Sequence, residues 1–239
     1  MITSKVERCV MSITTYIGDL AREYRLLVLL CVLIGLMTFT PIAELQSYGH
    51  AALTIALVLV IGAAVNAARE HVSVPITVIV VGLTAACLQL VSLFFDQTVV
   101  EISNNISNLI LLLLTTSLIL KRVLVVEASN FDTLCGAAAI YLMLGITWAS
   151  FFNLISLVYP DAFLGLRDDV LERWNDLMYF SFTTLTTLGY GDITPSNTVA
   201  RIWATLEAVT GTLYLTILVA RLVAIYSREH AVRTDARDG

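Results

Sequence analysis

The segment Thr187-Leu188-Gly189-Tyr190-Gly191-Asp192 carries the chemistry that stands out in this sequence. A cation stripped of its water shell needs oxygens in place of water, and successive backbone carbonyls facing one way can supply them. Such an arrangement requires partly left-handed backbone angles. Glycine reaches these at little steric cost, and Gly189 and Gly191 are spaced to provide them. Thr187 adds a hydroxyl oxygen at one end. Taken alone, Gly-Tyr-Gly-Asp is also an ordinary surface turn. The flanks argue against that reading, because an apolar helix-like run (177–185) precedes the segment and a long apolar stretch (200–226) follows it. Non-helical backbone at membrane depth survives only where protein buries it or ions and water satisfy it.

The rest of the chain must hold that segment in a membrane. Its 239 residues are 58% hydrophobic and 14% charged, against about 25% charged in a typical soluble domain. Mean hydropathy is +0.84. An integral, all-α membrane protein is expected. Cys9, Cys31, Cys87 and Cys135 have no paired spacing and read as small hydrophobes, so neither a disulfide nor a metal site is expected. Lys5, Glu7, Arg8, Asp19, Arg22, Glu23 and Arg25 interrupt the N-terminus, so no cleavable signal peptide is expected. His50, His71 and His230 lie far apart, and no nucleophile-base or metal-ligand spacing points to an enzyme.

Val6, Val10, Ile13, Ile17 and Leu20 recur at helical spacing, so residues 1–24 read as an amphipathic helix at the membrane surface or a frayed tail. Six apolar runs follow, each near the roughly 20 residues that cross a bilayer. They cover 25–42 (closed by Pro41), 51–68, 72–95, 106–126, 134–159 and 200–226. Gly62, Ala63 and Ala67 give the second a small-residue face. Pro75 stands in the first turn of the third, and Ser129-Asn130-Phe131-Asp132 offers a helix cap before the fifth. With a cytoplasmic N-terminus, six spans place eleven of the 14 basic residues inside and leave Arg167, Arg173 and Arg201 outside. Both termini are then cytoplasmic, and the 187–191 loop enters from outside. Nine of the 19 carboxylates fall on the outer side. They form either an acidic mouth that concentrates cations or simply polar loops.

Thr187-Leu188-Gly189-Tyr190-Gly191 followed by Asp192 resembles the selectivity-filter signature of potassium channels, T-V-G-Y-G and Asp. Residues 129–227 resemble the two-transmembrane pore domain of that superfamily, with a helix, a re-entrant pore helix, a filter and a second helix. The whole chain resembles its bacterial-type six-transmembrane members. The resemblance implies a homotetramer among membrane lipids of the plasma or inner membrane, passing potassium ions with no other cofactor and no nucleic acid. K⁺ would bind at Thr187, Leu188, Gly189 and Tyr190, with Gly191 completing the filter. Leu188 departs from the usual Val or Ile, which alters packing behind the filter. A pore helix over 174–186 would carry Tyr179, Phe180, Thr183 and Thr184 as filter support beside Asp192. Many relatives have two tryptophans at the positions of Tyr179 and Phe180; Tyr179 can still donate to Asp192, whereas Phe180 cannot donate at all. Gly211 matches a hinge glycine, or else makes a close contact with the pore helix. Thr212, Leu215 and Val219 would line the cavity.

Glu207 is the one carboxylate well inside an expected span, where ionisable groups are costly. It is either a buried, hydrogen-bonded structural acid, with Thr183 and Thr184 offering hydroxyls, or a pH-sensitive group coupled to the filter. A voltage sensor needs repeated arginines on the fourth span, since the field does about 2.3 kcal/mol of work per charge per 100 mV. That span has no basic residue before Lys121 and Arg122. The expected organisation is therefore an interfacial segment (1–24), a four-helix domain without gating charges (25–128) and a pore domain (129–239). Only 13 residues follow Tyr226, so no cytosolic ligand-binding domain is expected. The competing reading is a subunit of a potassium transporter with a filter-like loop. Such transporters carry four loops in one chain, and this chain has one.

Overall fold

Leu26, Leu29, Leu33, Leu36 and Thr40 recur every three or four residues, and all five are buried along one stripe of helix α1 (Arg25–Glu44). The computed structural model describes residues 24–44, 62, 76–92, 98–125 and 131–238. The expected interfacial helix at 1–24, the second apolar run apart from Gly62, and the capping pair 129–130 lie outside those residues. Pro41 does not close α1, as the sequence suggested; the helix continues to Glu44. Proline lacks the N–H that would reach the Met37 carbonyl, and the Thr40 hydroxyl donates to that carbonyl instead, at 3.2 Å. The third run appears as α2 (Ile76–Ser92).

Helix α3 (Thr98–Val125) begins eight residues before the expected fourth run. In its polar first turns Ser103 Oγ donates to the Val99 carbonyl at 2.7 Å, while Asn105 Oδ1 is buried without a partner among the described residues. Helix α4 (Phe131–Val158) starts earlier than expected and reaches back to α1. Asp132 Oδ1 accepts from the backbone N–H groups of Leu26 and Leu27, at 3.0 and 3.2 Å. These are among the orphan donors of α1's first turn, so one helix caps another. Next to it, Gly136 lets the three helices close up: a Cβ there would stand 2.6 Å from Leu26 Cδ1 and 3.0 Å from Val123 Cγ2. Packing of apolar helices through small residues is the expected geometry in lipid.

After a 3₁₀ turn (Pro160–Ala162), strand β1 (Phe163–Leu164) pairs antiparallel with β2 (Thr194–Pro195), Phe163 opposite Pro195 and Leu164 opposite Thr194. Between them lies α5 (Val170–Leu185), four residues longer at its start than expected. Asp169 caps it by accepting from Leu171 and Glu172 N–H at 2.9 and 3.3 Å. Helix α6 (Thr198–Asp238) runs well past the expected end at 226. Residues 227–238 contain no glycine or proline to stop it and are rich in helix formers.

Two cores result. One joins α1, α3 and α4 through Leu29, Leu33, Ile119, Ile140 and Met143. The other joins α4, α5, α6 and the two strands through Phe152, Phe163, Leu177, Phe180 and Ile193. Among the described residues three helical stretches are long and apolar enough to cross a membrane: Val99–Lys121, Phe131–Val158 and Thr198–Arg221.

One contact ties α3 to α5. Arg173 Nη2 meets Glu101 Oε1 at 2.5 Å, with the two side chains 18% and 32% exposed. Arg173 Nε also donates to Asn153 Oδ1 on α4 at 3.4 Å. A double-mutant cycle with Glu101→Gln and Arg173→Gln, read by thermal unfolding in detergent, is expected to give a coupling of about 1 kcal/mol. Strict additivity would show that the pair does not tie the two helices.

Candidate functional site

The last four carbonyls of a helix have no partner within it, and how they are satisfied determines where the chain goes next. In α5 every one is accounted for. The Phe182 carbonyl accepts from Thr186 N at 3.1 Å and from Thr186 Oγ1 at 2.6 Å. The Thr183 carbonyl accepts from Leu188 N at 2.8 Å and Gly189 N at 3.1 Å, and the Thr184 carbonyl from Thr187 N at 2.9 Å. The Leu185 carbonyl accepts from the Tyr141 hydroxyl of α4, at 3.3 Å. The pairings of residues 183 with 188 and 184 with 187 are those of a Schellman cap, which demands a left-handed residue at position 187. Thr187 fills it, with φ of 60°. Glycine is usual there, and a β-branched residue in this region is a genuine outlier costing about 1–3 kcal/mol. Sequence reasoning placed the left-handed angles at the glycines and missed this one.

Beyond the cap, Gly189 and Gly191 have φ of 53° and 82°, while Leu188 and Tyr190 between them keep negative φ. Such alternation lines up successive backbone N–H groups on one side and carbonyls on the other. A Cβ at Gly189 or Gly191 would meet nothing within 4 Å in this chain, so the need for glycine there is conformational rather than steric. Residues 186–192 are all exposed. Among the described residues no hydrogen bond reaches the carbonyls of Thr187, Leu188, Gly189 or Tyr190.

The far end of the segment is held from two sides. Tyr179 lies close enough to Asp192 for the two side chains to interact, and its ring stacks on Tyr190 at 6.3 Å with 3° between the planes. Gly165, with φ of 89°, lies so close to the Asp192 carbonyl oxygen that a Cβ would stand 2.5 Å from it. The β1–β2 clasp, with Ser196 N donating to the Ala162 carbonyl at 2.9 Å and Ser196 Oγ donating to that of Asp161, anchors the exit strand. Phe180 is placed differently from the expected filter support. It is buried edge-to-face against Phe152 and Phe163, at 5.2 and 5.3 Å. The outer carboxylates include several with structural partners: Asp169 caps α5, and Asp176 takes the Arg167 guanidinium at 2.7 Å.

The side of α5 away from solvent rests on α4 and α6. A Cβ at Gly145 would stand 2.5 Å from the Phe182 ring, and one at Gly211 would stand 2.2 Å from the Leu185 carbonyl oxygen. Of the two readings of Gly211, the structure displays the close contact, here with α5, within an unbroken α6. Glu207 is fully buried, and its hydroxyl partner is Ser181, not Thr183 or Thr184. Thr183 instead donates to the Phe180 carbonyl of its own helix, at 3.0 Å. Tyr214 donates to the Ala137 carbonyl at 2.6 Å and stacks on Tyr141. Thr212, Leu215 and Val219 are exposed on α6. A cavity of about 490 Å³ separates Met37 and Thr40 of α1 from Tyr179, Phe182, Leu188 and Tyr190, a proximity of α1 to the loop that no sequence signal announced.

The segment from α4 to α6 has relatives. Residues 133–228 match the sequence model of a family described as ion channel. Two-pore potassium channel 4 of Arabidopsis thaliana is 34% identical over 85 residues, covering 36% of this chain and 26% of that protein. Inward rectifier potassium channel Kirbac3.1 of Paramagnetospirillum magnetotacticum is 31% identical over 100 residues, covering 37% of this chain and 34% of that protein. The chain thus spans between about a quarter and a third of the length of these curated relatives. The matched residues contain the loop and all its supports on α4, α5 and α6, so the similarity falls on the site itself.

Proposed function

We propose that this chain is one subunit of a homotetrameric, potassium-selective channel embedded in the plasma or inner membrane. Four copies of the 187–191 loop encircle the conduction path, and backbone carbonyls of Thr187, Leu188, Gly189 and Tyr190 replace the water of a dehydrated K⁺. The observation that carries this reading is the set of four successive carbonyls without a donor among the described residues, on a segment whose backbone alternates in hand. The segment is exposed in the single chain, so its carbonyls are free to face a pore, where ions with their water satisfy them. The match of residues 133–228 to an ion-channel family and the likeness of part of the chain to two potassium channels support the choice of ion.

The protein crosses the membrane six times with both termini cytoplasmic, consistent with the excess of Lys and Arg on the inner side. Conduction is passive and not intrinsically voltage-gated. The apolar part of α3 carries no basic residue before Lys121, and the field has little charge there to act on. The exposed apolar residues of α6, among them Ile202, Leu206, Val209 and Leu213, suit burial against other subunits and lipid. A single loop per chain favours a four-chain channel over a transporter with four loops in one chain.

The test is K⁺ flux into proteoliposomes. The wild-type protein passes K⁺ in preference to Na⁺. Gly191→Ala forces a left-handed alanine at about 1–2 kcal/mol in each of four subunits, and K⁺ flux is expected to be lost while the protein remains folded. Mass measurement of the detergent complex is expected to give four chains. Unchanged flux in Gly191→Ala, or conduction by a monomer, contradicts the proposal.

A further inference from the structure

Glu207 has two carboxyl oxygens and one partner. Oε1 lies 2.5 Å from Ser181 Oγ, and Oε2 is buried without a hydrogen-bond partner among the described residues. The same Ser181 Oγ lies 2.8 Å from the Gly145 carbonyl oxygen. A serine hydroxyl has a single hydrogen to donate, and a peptide carbonyl has none. If Glu207 were a carboxylate, Ser181 could satisfy only one of these two acceptors, and the other would face it lone pair to lone pair. An O···O separation of 2.5 Å is at the short limit for neutral and ionised pairs alike, so the hydrogen count decides.

The surroundings agree with that count. From α4 the group facing Glu207 is Tyr141, close enough to interact with it electrostatically, and from α5 it is Ser181. Among the described residues no Lys, Arg or His acts on it. An ionised carboxylate would therefore sit fully buried with one neutral partner, which is far costlier than a neutral acid with one unfilled acceptor.

We propose that Glu207 stands in its carboxylic-acid form and donates through Oε1 to Ser181, which in turn donates to the Gly145 carbonyl. This two-bond chain from α6 through α5 to α4 makes Glu207 a positioning residue for the filter. It fixes the middle of the pore helix where Gly145 admits the Phe182 ring, one turn before the Leu185 carbonyl that Gly211 and Tyr141 hold. The carboxyl proton is part of the fold, so Gln, which keeps a donor, substitutes for Glu207 better than any apolar residue.

The protonation claim is independent of the channel reading and is tested on the purified full-length protein by infrared difference spectroscopy at neutral pH. Wild type minus Glu207→Gln is expected to show a carboxylic-acid C=O band, and Ser181→Ala is expected to shift that band. A difference spectrum containing only carboxylate bands overturns the proposal, and so does a band indifferent to Ser181→Ala. The positioning role rests on the channel reading and is tested by flux. Glu207→Gln is expected to conduct about tenfold faster than Glu207→Leu, the scale set by leaving the buried Ser181 hydroxyl without its donor. Equal flux in the two variants contradicts a positioning role, even with the acid band present.

Discussion

The orphan carbonyls at the end of α5 are the constraint on which the loop depends. A helix must satisfy its last four carbonyls beyond its own ladder, and this one does so mostly with the chain that leaves it. Leu188 and Gly189 N–H groups turn back to Thr183, Thr187 turns back to Thr184, and Tyr141 reaches in for Leu185. Once these bonds are made, residue 187 must be left-handed, and the strand that follows departs with its own carbonyls unclaimed. The termination of the helix and the exposure of the carbonyl row are thus one event. A left-handed threonine is costly, and the surrounding helices must over-determine it for it to persist.

That support comes from three directions. Gly145 and Gly211 allow α4 and α6 to press on α5 at side-chain and backbone distance. The aromatic cluster of Phe152, Phe163 and Phe180 fills the space above, and the two-residue strands return the exit segment to the same core. Arg173 and Glu101 extend the frame to α3. The peripheral helices are therefore joined to the loop through packed elements without any charge repeat of their own.

Much of this was legible in the sequence where residue type and local conformation are coupled. Gly189 and Gly191 announced left-handed backbone, and the apolar runs announced helices α1, α3, α4 and α6. Thr187 was not legible as left-handed, because a threonine carries no mark of the cap it closes. Phe180 was expected beside the filter by analogy with tryptophans, yet an apolar ring without a donor gains more in the aromatic core. Ser181 and Glu207 stand 26 residues apart on different helices, and no periodicity connects them. The strands at 163–164 and 194–195 are too short to display alternation, and Pro41 looked like a helix end only because Thr40's hydroxyl was not counted.

Ligation of dehydrated K⁺ by backbone carbonyls of residues 187–190 from four chains is open to a direct test. Crystals of the detergent complex soaked in Tl⁺, a heavy mimic of K⁺, locate the ions by anomalous scattering. A row of anomalous peaks on a fourfold axis is expected, each surrounded by carbonyl oxygens of these residues. Peaks held by side-chain carboxylates elsewhere, or a loop with no ion along it, would contradict it.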